Sequence, residues 1–180
     1  MTDVPPVNYF DLFEIPVSYD VDFERLQHSY RALQKAAHPD RYAHASAQER
    51  RLSMQQTSII NQALYTLKHP VERAIHLLQL KGVDFAMDKE TTMDAAFLME
   101  QMEVREQLEH IRDHDDPLAR LDALAAEVRG GMDRTANEFK RAYAADEIDA
   151  AREAVRKLQF LHKAAKQVEE LTASIEDELL

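Results

Sequence analysis

Long stretches of helix-forming residues run almost unbroken through this chain, and this scarcity of helix breakers constrains its fold more than any other feature. The 180 residues include only 3 Gly and 6 Pro, while 45% are hydrophobic. Gly and Pro are the residues least compatible with a helix interior, whereas Ala, Leu, Glu, Gln, Arg and Met are among the most compatible. The sequence therefore predicts an all-α protein with enough apolar residues for a core.

The composition also excludes several kinds of chemistry. The chain has no Cys, and its 8 His residues form no metal-ligand pattern. His38 and His44 are six residues apart across a loop, and His110 and His114 are four apart but have no third ligand nearby to match. No phosphate-binding loop or nucleophile motif is present, so we expect no catalytic, cofactor-binding or metal site. The start of the chain does not resemble a signal peptide, and no apolar run approaches the roughly 18–20 residues that span a bilayer. We expect a cytoplasmic protein without membrane contact.

The charged residues are distributed unevenly along the chain. Residues 1–82 carry 9 Lys or Arg and 9 Asp or Glu, whereas residues 83–180 carry 13 and 24, so the whole net charge of −11 lies in the second half. This asymmetry suggests two modules with different partners. Because phosphate binding needs clustered Lys and Arg, the acidic half argues against a nucleic-acid partner.

Proline residues mark where the first helices end. A short N-terminal helix is stopped by Pro16, and a second helix, capped by Asp20 or Asp22, runs to about Ala37, where the following Pro39 ends it. The apolar positions of this second helix share an arc of about 80°. They are Phe23, Leu26, Tyr30, Leu33 and Ala37.

The opposite face of the second helix is basic. Arg25, His28, Arg31 and Lys35 fall together there, and the Asp and Glu residues that usually intersperse such a face are nearly missing. A solvated helix surface is the ordinary interpretation, and the alternative is a docking surface for an acidic partner. The missing carboxylates favour docking.

A third helix begins at a capping box, in which Ser46 is followed three residues later by Glu49, and it spans about residues 47–68. Two helices of similar length joined by a short loop form an antiparallel hairpin, so we expect the tripeptide His38-Pro39-Asp40 at its exposed tip. A fourth helix follows over residues 71–81. The sequence therefore predicts a helical hairpin with short flanking helices.

Residues 83–93 have no sustained period and are expected to form a linker to a second module, residues 94–180. This module is predicted to be an antiparallel three-helix bundle. Its second helix contains Gly130-Gly131, but the apolar periodicity continues through this pair, so we expect one helix there. The three helices are predicted over residues 94–111, 117–145 and 146–176.

The first helix of the second module has two apolar faces. A stripe about 60° wide, suited to a core, consists of Phe97, Val104, Leu108 and Ile111. A different arc carries Leu98, Met99 and Met102 together with Glu103 and Glu106. Either the helix is buried on two sides, or this second arc is an exposed binding patch, for which Met is suited because it adapts to partner surfaces.

Phe160 lies off the core stripe of the last helix, opposite its centre. The chain has 7 Phe, 6 Tyr and no Trp, so an aromatic residue placed off the core is uncommon here. Phe160 is either a contact residue for a partner or a cover for one end of a helical hairpin.

Several of these segments resemble a known family. Residues 8–13, the basic helix, the tripeptide His38-Pro39-Asp40 and the run Ile60–Gly82 resemble a J-domain. The last of these runs is similar to the HscB family, the J-type co-chaperones of iron–sulfur cluster biogenesis. Ala96–Leu108 and Val155–Lys163 resemble the C-terminal helical domain of that family. The resemblance covers nearly the whole chain and implies a protein that is not itself an enzyme.

The resemblance implies a division of labour between the two modules. Residues 1–82 would be a J-domain that docks on a DnaK-type chaperone of the HscA kind and stimulates its ATPase, while the C-terminal bundle would bind the IscU scaffold on which the cluster is built. The positions that match the chaperone contact are His38, Pro39, Asp40, Arg25, His28, Arg31, Lys35 and Arg41. The positions that match the scaffold site are Leu98, Met99, Met102, Glu103, Glu106 and Phe160.

Two other functions compete with this interpretation. A J-domain protein for general unfolded clients is disfavoured, because the chain lacks the Gly/Phe-rich linker and the Cys-rich zinc module that such proteins often carry. A helical hydrolase or metal-binding enzyme, built on the carboxylates and His residues, has no motif to support it. His110 lies where the acidic face of the family would continue, and it is left outside the predicted site.

Overall fold

The computed structural model describes residues 7–37, 46–86 and 91–179, and all regular secondary structure in these ranges is helical. The chain divides into two compact units, the first ending at Asp84 and the second beginning at Phe85. No helix among these residues is both long and apolar enough to cross a membrane. The helices are α1 (Tyr9–Leu12), α2 (Phe23–Ala37), α3 (Ala47–Lys68), α4 (Pro70–Leu80), α5 (Ala95–Glu109), α6 (Pro117–Ala144) and α7 (Ile148–Glu178), with a 3-10 turn at Ile111–Asp113.

Side-chain caps start the helices of the first unit. The Asn8 side chain caps α1, and Asp22, rather than Asp20, caps α2 by accepting two first-turn N–H groups at 3.0 Å each. At α3 the capping is reciprocal: Ser46 Oγ accepts the N–H of Glu49 at 3.3 Å, and Glu49 Oε2 accepts the N–H of Ser46 at 2.8 Å. These bonds satisfy N–H groups that have no partner within the helix.

The second and third helices form an antiparallel hairpin. The buried hydroxyl of Ser53 donates to the carbonyl of Ala37 at 2.7 Å, and the hydroxyl of Tyr30 donates to Asn61 Oδ1 at 3.1 Å. Residues later in α3 therefore contact residues earlier in α2, which is the arrangement of an antiparallel pair. Both α1 and α4 pack against α3 and complete the unit. Its buried core includes Phe10, Phe13, Leu26, Ala63, Leu67, Ala74, Leu77 and Leu78.

Phe23 is half-exposed, although it lies on the apolar arc of α2. Its ring instead covers the guanidinium of Arg73, which lies 5.5 Å from the Phe23 centroid and 4.7 Å from that of Tyr19. Arg73 also donates to the carbonyl of Leu67 at 2.7 Å. Burial lowers the pKa of Arg73, because its charge is partly removed from water. Expecting Phe23 in the core was wrong, because a cation from α4 occupies the space beneath it.

The second unit is built on a long antiparallel hairpin of α6 and α7. At the turn between them, Asp146 adopts a φ of 60°, a left-handed conformation that Asp tolerates. At the other end, Arg112 pairs with Glu178 at 2.5 Å. The shorter α5 covers only this open half of the hairpin and lies mainly along α7. The shared core consists of Phe97, Val104, Leu108, Ile111, Leu121, Leu124, Val128, Leu161, Ala164, Val168 and Ile175.

The segment expected to be a linker is described in part, over residues 83–86 and 91–93, and these residues form neither helix nor strand. They are not simply solvated, because Phe85 and Thr92 are buried. The Thr92 hydroxyl donates to the carboxylate of Glu153 on α7. The residues that immediately precede α5 are therefore attached to the second unit.

Helix α6 passes through Gly130-Gly131 without interruption, as the periodicity predicts. An ideal Cβ placed on Gly131 would lie 3.1 Å from Leu161 Cδ2, whereas one on Gly130 would meet only the mobile end of Arg134, at 3.5 Å. Gly131 thus lets α6 approach α7 closely, and Gly130 has no such packing role.

His76 of α4 fixes the position of α1. Its side chain is only 3% exposed, and its Nε2 accepts the N–H of Tyr9 at 3.2 Å. The imidazole also stacks on the rings of Tyr9 and Phe10, with centroids 4.4 and 5.9 Å away. Burial lowers the pKa of His76, because the protonated ring would lose hydration. Protonation at Nε2 would also remove the acceptor that Tyr9 uses.

We expect Gly130→Ala to raise the free energy of unfolding by about 1 kcal/mol, the difference in helix propensity between the two residues. Gly131→Ala should raise the free energy of unfolding by clearly less, because Leu161 must shift to admit the new methyl group. Urea denaturation of the two variants measures the difference. Equal gains at the two positions would contradict a close approach at Gly131.

We expect the protein to lose stability as the pH falls below about 6.5, the ordinary pKa of His. The folded-state pKa of His76 lies below that value, so the unfolded chain binds the proton first as the pH falls. The stabilisation that neutral His76 provides is therefore complete above about pH 6.5. It is lost as the pH falls towards the folded-state pKa. His76→Gln keeps an acceptor but does not titrate. Its unfolding free energy, measured by denaturation across this range, should depend less on pH. Parallel pH curves for both proteins would rule out His76 as the cause.

Candidate functional site

One surface of the first unit is the basic face of α2. Arg25, His28, Arg31 and Lys35 are all exposed, and after Glu24 the helix contains no acidic residue. The predicted separation between a buried side and a cationic side is therefore present. The remaining residues expected to contact a chaperone, His38, Pro39, Asp40 and Arg41, lie outside the described residues.

Sequence reasoning missed one cation of this surface. Lys68, at the end of α3, is exposed and lines a shallow depression together with Phe23, His28 and Arg31. The half-exposed ring of Phe23 gives this basic surface an apolar component. Lys68 was not recognisable from the pattern of α2, because it joins the surface only through the packing of α2 against α3.

The second face of α5 is open to solvent. Met99 and Met102 are 63% and 71% exposed, Glu103 and Glu106 are exposed, and Leu98 is half-buried. The helix is therefore buried on one side only, along the predicted stripe. Exposing this much apolar surface carries a cost in water unless a partner covers it, which is why such patches mark interaction sites.

Phe160 lies on the side of α7 that faces α5. Its half-buried ring packs edge-to-face on Phe97, with centroids 6.1 Å apart and an interplanar angle of 80°. Between the two helices runs a groove of about 840 Å³, which we call the α5–α7 groove. Leu98, Met102 and Phe160 line it together, although Phe160 is distant from the other two in sequence. Its remaining lining residues are Gln101, Val104, Arg105, Leu108, Glu109, Lys163, Ala164, Gln167, Glu170 and Leu171.

The other predicted scaffold-binding residues border this groove. Met99, Glu103 and Glu106 lie on the side of α5 that is further from α7, next to the stripe of Leu98 and Met102, as the helical period requires. The six predicted residues thus form one continuous surface. It is apolar in and beside the groove and acidic along the outer border of α5.

A polar contact fixes the start of α5. Asp94 caps the helix by accepting the N–H of Phe97 at 3.1 Å, and Lys157 of α7 donates to Asp94 at 2.7 Å. The bond from Lys157, followed by that from Phe97, lowers the pKa of Asp94. Burial disfavours the charge of Lys157, but its bond and attraction to Asp94 outweigh this effect and raise its pKa. Lys157 Nζ also lies 5.6 Å above the Phe97 ring.

The geometry suits protein binding. Nowhere in the described parts of the chain do three or more His, Asp or Glu side chains converge as metal ligands would. Both surfaces are exposed faces of helices, and one of them combines an apolar groove with charged borders. Interfaces between proteins commonly have this composition, an apolar centre with a polar rim.

Solved structures share this fold. The chaperone HscB from Vibrio cholerae matches with a TM-score of 0.84 and 39% identity, covering 97% of this chain and 100% of that one. The human co-chaperone HscB matches with a TM-score of 0.82 and 27% identity, over 92% and 82% of the two chains. Jac1 from Saccharomyces cerevisiae, at 20% identity and a TM-score of 0.66, shares the fold. The all-α fold, a J-domain with a C-terminal helical domain, is therefore that of a co-chaperone.

Sequence comparisons define the family. The family model of the HSCB C-terminal oligomerisation domain matches residues 93–169. The co-chaperone protein HscB homolog of Shewanella halifaxensis is 45% identical over 177 residues, which cover 96% of this chain and 99% of the relative. That of Shewanella loihica is 41% identical over 166 residues, with 91% and 96% covered. The chain belongs to the HscB family. The resemblance seen in its motifs is thus confirmed, and as a co-chaperone it acts together with a chaperone.

Proposed function

We propose that this protein is the co-chaperone that links an iron–sulfur cluster scaffold to its chaperone in the cytoplasm. Its C-terminal unit binds an IscU-type scaffold, and its J-domain delivers that scaffold to a DnaK-type chaperone of the HscA kind. The tripeptide His38-Pro39-Asp40 then stimulates the ATPase of the chaperone. The observation that carries this proposal is the exposure of Met99 and Met102 beside the α5–α7 groove, a surface that needs a partner.

The apolar part of this surface supports tight scaffold binding. Interfaces gain most of their free energy from a few apolar or aromatic side chains that become fully buried, while polar side chains around them exclude water. Met102 and Phe160, on opposite walls of the groove, match this description, and Glu103 and Glu106 match the polar rim. We expect the scaffold to present apolar side chains to the groove and basic side chains to the outer border of α5.

The basic face of α2 supports docking on the chaperone. Exposed cations on one face accelerate the encounter with an acidic surface and fix its orientation more than they add to affinity. Arg25, His28, Arg31 and Lys35 would guide the chaperone to the J-domain, and Arg41 and the tripeptide follow α2 directly in sequence. This arrangement separates recognition, by α2, from stimulation, by His38-Pro39-Asp40.

The two surfaces belong to different compact units, so one chain can hold both partners. Tethering raises the effective concentration of the scaffold near the chaperone without any new contact between them. Stimulation of ATP hydrolysis would then occur preferentially on chaperone molecules that have received a scaffold. This coupling is the step that a J-domain alone does not provide.

We expect His38→Gln to abolish stimulation of the chaperone without weakening scaffold binding. Single-turnover ATP hydrolysis by an HscA-type chaperone, with and without an IscU-type scaffold, measures the effect. His44→Gln, the same substitution six residues later in sequence, is the matched control and should stimulate normally. Stimulation that survives in His38→Gln would refute the assignment of the tripeptide.

We expect Met99→Ala and Met102→Ala each to weaken binding of the IscU-type scaffold by about tenfold, equivalent to roughly 1.4 kcal/mol. Both side chains are exposed, so neither substitution should affect folding. Titration calorimetry with the purified scaffold gives the affinities.

Met54→Ala is the matched control, because Met54 is similarly exposed, at 64%, but belongs to the first unit. Phe160→Ala should weaken binding as well, but its ring also packs on Phe97, so its unfolding free energy must be measured alongside. Scaffold affinity that is unchanged in both Met variants would refute the assigned surface. If unfolded client proteins compete equally with the scaffold, the alternative of a general J-domain protein is correct.

A further inference from the structure

Lys163 differs from the other charged residues that line the α5–α7 groove. Arg105 pairs with Glu109 at 2.9 Å, and Glu170 pairs with Lys166 at 3.5 Å. Lys163 is exposed on the α7 wall and has no ion-pair or hydrogen-bond partner among the residues that the structure describes. Its ammonium group is therefore available to a partner that enters the groove.

The sequence around Lys163 explains why it has no partner on its own helix. Side chains three or four residues away on a helix are the ones that can form pairs, and at Lys163 these positions hold Gln159, Phe160, Lys166 and Gln167. None of them is a carboxylate, although residues 83–180 contain 24 Asp or Glu against 13 Lys or Arg. Lys163 therefore has no carboxylate within pairing distance on its own helix.

The charged groups that have no ion-pair partner among the described residues change sign across the groove. Glu103 and Glu106 lie along the outer border of α5, the apolar walls contain Met102 and Phe160, and Lys163 lies on the α7 side. A partner that complements this surface needs basic side chains on one side, an apolar side chain in the middle and an acidic one on the other. The opposite orientation would place like charges against each other at both borders.

We propose that the groove binds a scaffold segment whose apolar side chain enters between Met102 and Phe160, and whose neighbouring acidic side chain pairs with Lys163. This inference rests on the proposed scaffold binding and adds its orientation. The apolar contact supplies affinity, and the pair at Lys163 selects one of the two directions in which the segment can lie. Lys163 is a specificity-determining residue in this arrangement.

Charge reversal at Lys163 tests the proposal with the full-length chain. We expect Lys163→Glu to weaken binding of the IscU-type scaffold by about tenfold at low salt and by less at high salt, since screening weakens charge pairs. Lys163→Met keeps the aliphatic part of the side chain, so its affinity for the scaffold should fall by only about threefold. Reversing the charge of one acidic scaffold residue should restore the affinity of Lys163→Glu.

Arg129→Glu is the matched control. It introduces the same charge change in the same unit, at an exposed side chain of α6, and no residue of α6 lines the groove. Its scaffold affinity should stay within about twofold of the native value. Equal losses in Lys163→Glu and Arg129→Glu would reveal a general charge effect and overturn the assignment of Lys163.

The remaining outcomes separate this inference from the function on which it rests. If the native protein fails to bind the scaffold, both are overturned. If Met102→Ala weakens binding and Lys163→Glu does not, scaffold binding stands and the orientation is wrong. A last outcome is that sedimentation shows self-association of the native protein, and that Lys163→Glu abolishes this self-association without weakening scaffold binding. The groove would then bind a second copy of this chain, and the inference would be overturned.

Discussion

The rotation of α5 about its own axis determines which side chains this protein offers to a partner. Phe97 is held from two directions, by the edge of Phe160 and by the ammonium of Lys157, while Asp94 caps the helix and pairs with the same Lys157. A rotation by one residue, about 100°, would turn the core stripe towards solvent. With Phe97 fixed, Met102 faces the groove. The surface proposed for binding is therefore a consequence of how α5 is anchored.

Local signals predicted the helices well. The third helix begins and ends at the residues expected from its capping box and from the following His-Pro pair, because both signals act within four residues of the helix end. Phe23 was placed in the core by the same helical-wheel reasoning and is half-exposed. Its environment is set by Arg73, a buried cation fifty residues later, which no pattern within α2 could reveal.

The candidate site shows the same division between local and long-range information. The period of one helix separated Met99 and Met102 from the buried stripe, because that period alone fixes which side chains share a face. It could not show that Phe160 forms the opposite wall of a groove, since this depends on α5 lying along α7. The pair between Asp94 and Lys157, 63 residues apart, is likewise a tertiary contact without a signal in sequence.

Under the proposed function, the opposite charges of the α2 face and of the outer border of α5 would keep the two partners from exchanging places. Basic groups that complement Glu103 and Glu106 would be repelled by the face that carries Arg25 and Arg31, and an acidic chaperone surface would be repelled by the outer border of α5. Charge alone would leave both contacts weak at physiological salt. The proposed scaffold surface adds exposed Met side chains, whose burial would supply affinity that salt does not remove. In the proposed function, scaffold binding would then persist while the chaperone, held more electrostatically, associates and dissociates.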